Sequence, residues 1–176
     1  MAFKSADDIL RPDPRFESFC VLEDAVPRRM TLADHHRMIG EVSLTGAAQL
    51  EVRDAFDRAR NTLLYAFFDY DLMVVAGNQA FGAFELALKH RLNGHGGPAK
   101  GTLRNLVERA RKQRIFPPLP QRDPSLVWRP PVDPIEAMIE LRNDLAHGTS
   151  QVHSPGIAMD LLSACAWGID MVFPPA

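Results

Sequence analysis

The apolar positions of this chain recur at helical spacing over most of its length. In the longest such segment, residues 71–92, they include Met73, Gly77, Phe81, Phe84 and Leu88. This i, i+3, i+4 recurrence is typical of a helix with a buried face. Runs of Val, Ile and Thr that alternate with polar residues, which would indicate strands, are nearly absent. The pattern therefore predicts an all-α protein.

Start and stop signals divide the chain into six predicted helices. They run over about residues 31–44, 47–66 and 71–92, from Thr102 onward, and over about 133–147 and 154–173. The fifth helix has the clearest start, with Asp133 as N-cap, Pro134 at the first position and Glu136 at the third. Gly148 supplies the residue that ends it. We expect an antiparallel bundle of four to six helices.

Two stretches of the chain do not fit the helical pattern. Residues 1–30 contain three prolines and an apolar patch around Phe16 and Phe19, and are predicted to form an arm that lies against the body. Residues 115–134 contain seven of the fourteen prolines and are predicted to form an ordered or semi-extended surface loop. The expected organisation is an N-terminal arm, 1–30, and a single helical domain, 31–176, with a core at about 47–173.

Composition and charge exclude several functional classes. The chain has 20 Lys and Arg against 22 Asp and Glu, a net charge of −2, which excludes binding to nucleic acid by bulk electrostatics alone. Two cysteines, Cys20 and Cys165, are too few for a disulfide framework or a cysteine-based zinc site. His35 and His36 lack a carboxylate or cysteine partner at ligand spacing, so we expect neither a metal nor a cofactor.

Hydropathy predicts no association with a membrane. No apolar run approaches the roughly 18–20 residues that cross a bilayer. Residues 1–12 carry four charged side chains and lack the apolar stretch of a secretory signal. A cytoplasmic location is therefore expected.

The fifth predicted helix carries the most informative polar side chains of the chain. Arg142 falls near the middle of its apolar arc, where an unpaired charge costs several kcal/mol. Asn143 and His147 lie one turn apart beside it, and the helix dipole favours a charged His147 at the C-terminus. A guanidinium, an amide and an imidazole are the groups that hold a phosphate and move a proton.

Residues 142–147, Arg-Asn-Asp-Leu-Ala-His, resemble the Arg-x4–6-His motif of HEPN domains, including the polar residue that follows the arginine. Residues 83–89, Ala-Phe-Glu-Leu-Ala-Leu-Lys, are similar to the HEPN core, and the motif stands just before the last helix. The resemblance covers about residues 47–173. Thr149 stands where HEPN toxins paired with a nucleotidyltransferase antitoxin carry a tyrosine.

The resemblance implies a metal-independent endoribonuclease that acts at a dimer interface and leaves a 2′,3′-cyclic phosphate. By this likeness Arg142 stabilises the charge that develops on the phosphate, and His147 acts as general acid or base on the 2′-hydroxyl or the leaving oxygen. Asn143 orients the pair. The resemblance also implies a toxin–antitoxin or phage-defence system, with RNA as substrate and an antitoxin protein as partner.

The spacing of the motif favours a homodimer. On an ideal helix Arg142 and His147 are about 140° apart around the axis and about 7.5 Å apart along it. One chain could not easily bring both side chains to a single phosphate. Two chains related by a two-fold axis could pool two arginines and two histidines in one cleft.

Other interpretations of the same residues stay open. Arg142 could be a structural arginine paired with Glu85 or Asp71, and the protein would then be a catalytically inactive, HEPN-like dimeric interaction or nucleotide-binding module. Residues 100–114 carry six basic side chains and one acid. They could bind RNA, serve a transcription-related regulator, or form an ordinary solvated helix face. The expected RNA-binding residues are Lys100, Arg104, Arg111 and Arg114.

Overall fold

The computed structural model of the protein describes residues 3–92, 101–119, 133–146 and 153–175. Within these ranges six α-helices follow a short β-hairpin. The strands are β1 (Cys20–Glu23) and β2 (Val26–Arg29), and the helices are α1 (Leu32–Glu41), α2 (Leu50–Tyr65), α3 (Leu72–Leu92), α4 (Leu103–Lys112), α5 (Pro134–Ala146) and α6 (Pro155–Val172). The prediction of a helical bundle is confirmed, and the expectation of an all-α protein is wrong at the hairpin.

Helix α3 lies at the centre of the bundle and packs against α2, α4, α5 and α6. Its buried side chains include Met73, Phe81, Phe84, Leu88 and Leu92. Helix α2 runs antiparallel to α3, as contacts at both ends show. Near the end of α2 the Thr62 hydroxyl donates to Gln79, in the first half of α3, over 2.6 Å. Near the start of α2, Glu51 lies 3.0 Å from His90 at the end of α3.

Helix α6 approaches α3 closely at a glycine. A Cβ built on Gly168 would lie 2.8 Å from the ring of Phe84, which is itself fully buried. Atoms of this kind do not pack closer than about 3.5 Å. The absence of a side chain at Gly168 therefore sets the distance between the two helices.

The predicted helix starts are confirmed by side-chain caps. Thr31 and Asp34 form a capping box at the start of α1. The side chains of Thr102 and Ser154 accept hydrogen bonds from the first turns of α4 and α6. The boundary predicted least well is the connection between α1 and α2, since α1 ends at Glu41 and α2 begins only at Leu50.

The hairpin within residues 1–30 has no strong sequence signal. Asp24 and Ala25 form its two-residue turn, and both have positive φ values, 50° and 64°. Asn-Gly or Asp-Gly is the usual pair in such a turn. Pro27 in β2 also argues against a strand. Arg28 stabilises the hairpin, because its guanidinium donates to the buried carboxylate of Asp34 in α1.

The arm packs against the connection between α2 and α3. Phe16 is buried, and its ring lies 4.9 Å from that of Phe67 and 5.6 Å from that of Tyr70. Asp13 is also fully buried, and it accepts hydrogen bonds from Arg15 and from the backbone N–H of Tyr70. Burial alone would raise the pKa of Asp13, but these hydrogen bonds outweigh it and lower the pKa to about 2.

None of the helices in the described ranges has the length and apolar character that crossing a bilayer requires. Most of the predicted proline-rich loop, residues 120–132, lies outside the described residues. The part that is described includes Phe116, which is buried against Phe84 in the core.

The contact at Gly168 predicts opposite effects for two Gly→Ala substitutions. Gly168→Ala forces α6 away from Phe84 and should lower the free energy of unfolding by about 1–3 kcal/mol. Gly82→Ala should raise it by up to about 1 kcal/mol, because Gly82 lies within α3 and a Cβ there meets nothing within 4 Å. Urea denaturation of both variants measures the difference. Equal stability of the two would contradict this account of the α3–α6 contact.

The network around Asp13 predicts a pH-dependent loss of stability. Its pKa is lower in the folded protein, so its contribution is complete above the ordinary value of 3.8 and is lost as the pH falls through about 2. Asp13→Asn should lower the free energy of unfolding at neutral pH by about 2 kcal/mol. In acid titrations followed by circular dichroism, the difference in stability between the wild type and Asp13→Asn should disappear as the pH falls below 3.8. A gap independent of pH would show that the charge of Asp13 is not what stabilises the arm.

Candidate functional site

Helix α5, which carries the predicted motif, is fixed at its start by the cap predicted from the sequence. The Asp133 carboxylate accepts from the backbone N–H groups of Ile135 and Glu136 at 3.0 and 3.1 Å. Burial would raise the pKa of Asp133, but Arg111 and the backbone donors together lower it. Asp133 therefore stays a carboxylate and keeps both the cap and its ion pair.

Two arginines of α4 hold α5 in place. Arg111, whose side chain is 8% exposed, lies 3.0 Å from Asp133 and 3.3 Å from Glu136. Arg104 lies 3.1 Å from Glu136 and 2.7 Å from Glu140. These pairs join opposite ends of the two helices, so α4 and α5 are antiparallel. We define these five residues as the α4–α5 clamp.

The clamp changes the interpretation of the predicted RNA-binding residues. Arg104 and Arg111 are engaged by acids of α5 and do not form a free cationic face with Arg114. Arg114 is exposed beyond the end of α4, in a backbone conformation with φ 59°. Lys100 lies outside the described residues. Two of the six basic side chains predicted for residues 100–114 are thus paired with acids within the chain.

Arg142 lies at the margin of the buried face of α5. Ile135, Met138 and Ile139 are buried, but the Arg142 side chain is 36% exposed. Arg142 is therefore partly buried and not enclosed in the single chain, although ideal helical spacing places it in the same arc as these three residues.

Glu85 of α3 is the acid that faces Arg142. Its carboxylate lies 3.9 Å from the guanidinium of Arg142 and 2.7 Å from the ammonium of Lys89. The first distance is longer than the roughly 2.7–2.9 Å of a charge-assisted hydrogen bond. Glu85 therefore attracts Arg142 without binding it tightly. Asp71, the other acid considered as its partner, pairs with Arg15 at 2.8 Å.

The other two motif residues are placed only in part. Asn143 follows Arg142 on α5 and is half-buried. His147 comes directly after the last described residue of α5, Ala146, and lies outside the described residues. The structure thus brings Arg142 together with Glu85, while the position of His147 stays a prediction from the sequence.

Lys89 is the residue of this site that sequence reasoning missed. It follows Glu85 by four positions, the spacing at which oppositely charged side chains pair on one helix face. This spacing is visible in the sequence. Its relation to the motif is visible only in the structure, where Arg142 of α5 lies beside the same face of α3.

Two other titratable side chains, His35 and Cys165, are buried in the helical bundle. The ring of buried His35 lies 2.8 Å from the Leu63 carbonyl oxygen, and burial lowers its pKa. Burial raises the pKa of the Cys165 thiol. Across the described ranges no three His, Cys, Asp or Glu residues are grouped as a metal site would need.

Comparisons with known proteins find no match to this chain among family models, curated proteins or solved structures.

The clamp predicts different roles for two arginines that share one helix. Arg111→Ala leaves the largely buried Asp133 without its cation, while Glu136 keeps Arg104, and should lower the free energy of unfolding by about 3 kcal/mol. Arg104→Ala removes two partly exposed pairs and should lower it by less than about 1 kcal/mol for each. Thermal and urea denaturation measure both. A stable Arg111→Ala protein with impaired RNA binding would return Arg111 to the role of an RNA ligand.

Proposed function

We propose that the protein is a HEPN-type, metal-independent endoribonuclease that cleaves RNA at a site shared by two copies of the chain. The proposal rests on the sequence motif of residues 142–147 and on one structural observation. Arg142 stands at the surface of the bundle beside Glu85, loosely held and one-third exposed. This arrangement leaves guanidinium donors accessible to an incoming phosphate, as the proposed chemistry requires.

The proposed reaction needs no group that the chain does not supply. The ribose 2′-oxygen forms a bond to the adjacent phosphorus, and the bond from phosphorus to the 5′-oxygen of the next nucleotide breaks. The 2′-hydroxyl loses its proton and the leaving oxygen gains one, and His147 carries out one or both transfers. The products are a 2′,3′-cyclic phosphate and a 5′-hydroxyl end. Arg142 stabilises the negative charge on the phosphate oxygens during the displacement.

A homodimer is part of the proposal. The exposed edge on which Arg142 lies would be covered by a second copy, and the two-fold axis would place two motifs in one cleft. Cellular roles that fit this activity are those of a toxin–antitoxin or phage-defence nuclease, with an antitoxin protein as a further partner.

The contact between Arg142 and Glu85 also fits a second function. If the ion pair is structural, the same surface serves a catalytically inactive dimeric interaction or nucleotide-binding module. The two functions differ in what the removal of His147 does to RNA.

Cleavage of labelled RNA by the full-length protein in EDTA tests the proposal. The wild type should release fragments that end in a 2′,3′-cyclic phosphate. Arg142→Ala and His147→Ala should each lower the rate by about 100-fold or more. Arg11→Ala serves as the matched control, because Arg11 is an exposed arginine of the arm paired with Asp8. It should cleave at the wild-type rate.

Denaturation of Arg142→Ala completes this test. Since the ion pair with Glu85 is long and partly exposed, its loss should change the free energy of unfolding by less than about 1 kcal/mol. Cleavage that is absent from the wild type, or equal in all the variants, would refute the nuclease and favour the inactive module.

A further inference from the structure

A groove between α2 and α3 begins at the residue that faces Arg142. It has a volume of about 400 Å³, within the range of roughly 300–1,000 Å³ typical of ligand pockets. Glu85 lines this groove and also pairs with Arg142 on the neighbouring helix. The groove therefore continues directly from the proposed cleavage site along the surface of α3.

Small residues keep part of the floor of the groove open. A Cβ on Gly82 would meet nothing within 4 Å. Ala55 of α2 and Ala83 of α3 also line the groove and are small. A glycine within a helix, at a position exposed to solvent, lowers the stability of the helix by up to about 1 kcal/mol relative to alanine. The glycine is costly for the fold, and it keeps the groove from being filled.

Two cations line the groove, Arg58 of α2, which is exposed, and Lys89 of α3. Glu85, the acid among the lining residues, lies 2.7 Å from Lys89. The lining therefore carries a net charge of +1, in a chain whose net charge is −2. Arg142 adds a further cation where the groove begins. An extended polyanion is the ligand that such a track of cations attracts.

Resting on the function proposed above, we infer that this groove binds the single-stranded RNA next to the cleaved phosphate. Arg58 and Lys89 contact backbone phosphates, and the open floor at Gly82 accommodates the nucleotide between them. Contacts of this kind position RNA without reading its sequence. The groove therefore contributes affinity and positions the RNA along the site. The choice of the cleaved bond depends on where the RNA is single-stranded next to the motif.

Binding of a 2′-O-methyl RNA oligonucleotide tests this inference separately from cleavage, because that probe lacks the attacking hydroxyl. Gly82→Leu should fold normally and weaken binding about tenfold by filling the groove. Gly40→Leu is the matched control, since Gly40 is exposed on α1 and a Cβ there also meets nothing within 4 Å. It should bind like the wild type.

Salt dependence provides the second measurement. Arg58→Ala and Lys89→Ala should each reduce the slope of log affinity against log salt by about 0.7, the value for one lost phosphate contact on a single strand. Arg11→Ala should leave the slope unchanged. Wild-type affinity and slope in all the groove variants would overturn the inference.

The two proposals fail in different ways. If the wild type cleaves RNA but the groove variants bind and cleave normally, the groove is excluded and the nuclease stands. If binding depends on the groove while the wild type cleaves nothing, the nuclease is excluded and the RNA groove stands. If the wild type does not bind the oligonucleotide at all, the groove inference is overturned.

Discussion

The burial of α3 is the constraint on which the rest of this protein depends. Four helices pack around it, and most of its apolar side chains are inaccessible to water. Gly168 lets α6 approach Phe84 without a clash, so one side is closed tightly. The strip that stays open lies between α2 and α5 and carries Glu85 and Lys89. The candidate site is therefore the part of the central helix that the bundle leaves uncovered.

Three carboxylates of the described residues hold elements of the fold together. The buried Asp13 fixes the arm, the buried Asp34 joins the hairpin to α1, and the largely buried Asp133 joins α4 to α5. Each is surrounded by several donors, as a buried charge requires. Glu85 differs, because it is partly exposed and one of its two cations, Arg142, lies 3.9 Å away, beyond hydrogen-bond distance. A carboxylate that is shared and loosely bound is better suited to a surface whose ion pairs exchange than to a contact that holds the fold together.

The sequence predicted those elements whose signals are local. Helical periodicity and side-chain caps placed α3, α4, α5 and α6, because the cap residues act on the backbone two or three positions away. The hairpin was missed because Asp24 and Ala25 are an uncommon pair in a two-residue turn, and tertiary contacts such as Arg28 with Asp34 stabilise it. The ion pairs of Arg104 and Arg111 could not be predicted for a related reason. They depend on the position of α5, which no local pattern encodes.

The exposure of Arg142 gives the proposed dimer a physical reason beyond the spacing of the motif. A guanidinium that is one-third exposed acts in a high effective dielectric, where its attraction to a phosphate is weak. Electrostatic stabilisation of a transition state is strong only where water is excluded. Within one chain, closing α5 more tightly over α3 would bring Arg142 against Glu85 and neutralise it. A second copy could instead cover the site from outside, removing water while leaving the long Arg142–Glu85 contact unchanged. Under the proposed function, the dimer would thus supply a low dielectric as well as a second histidine.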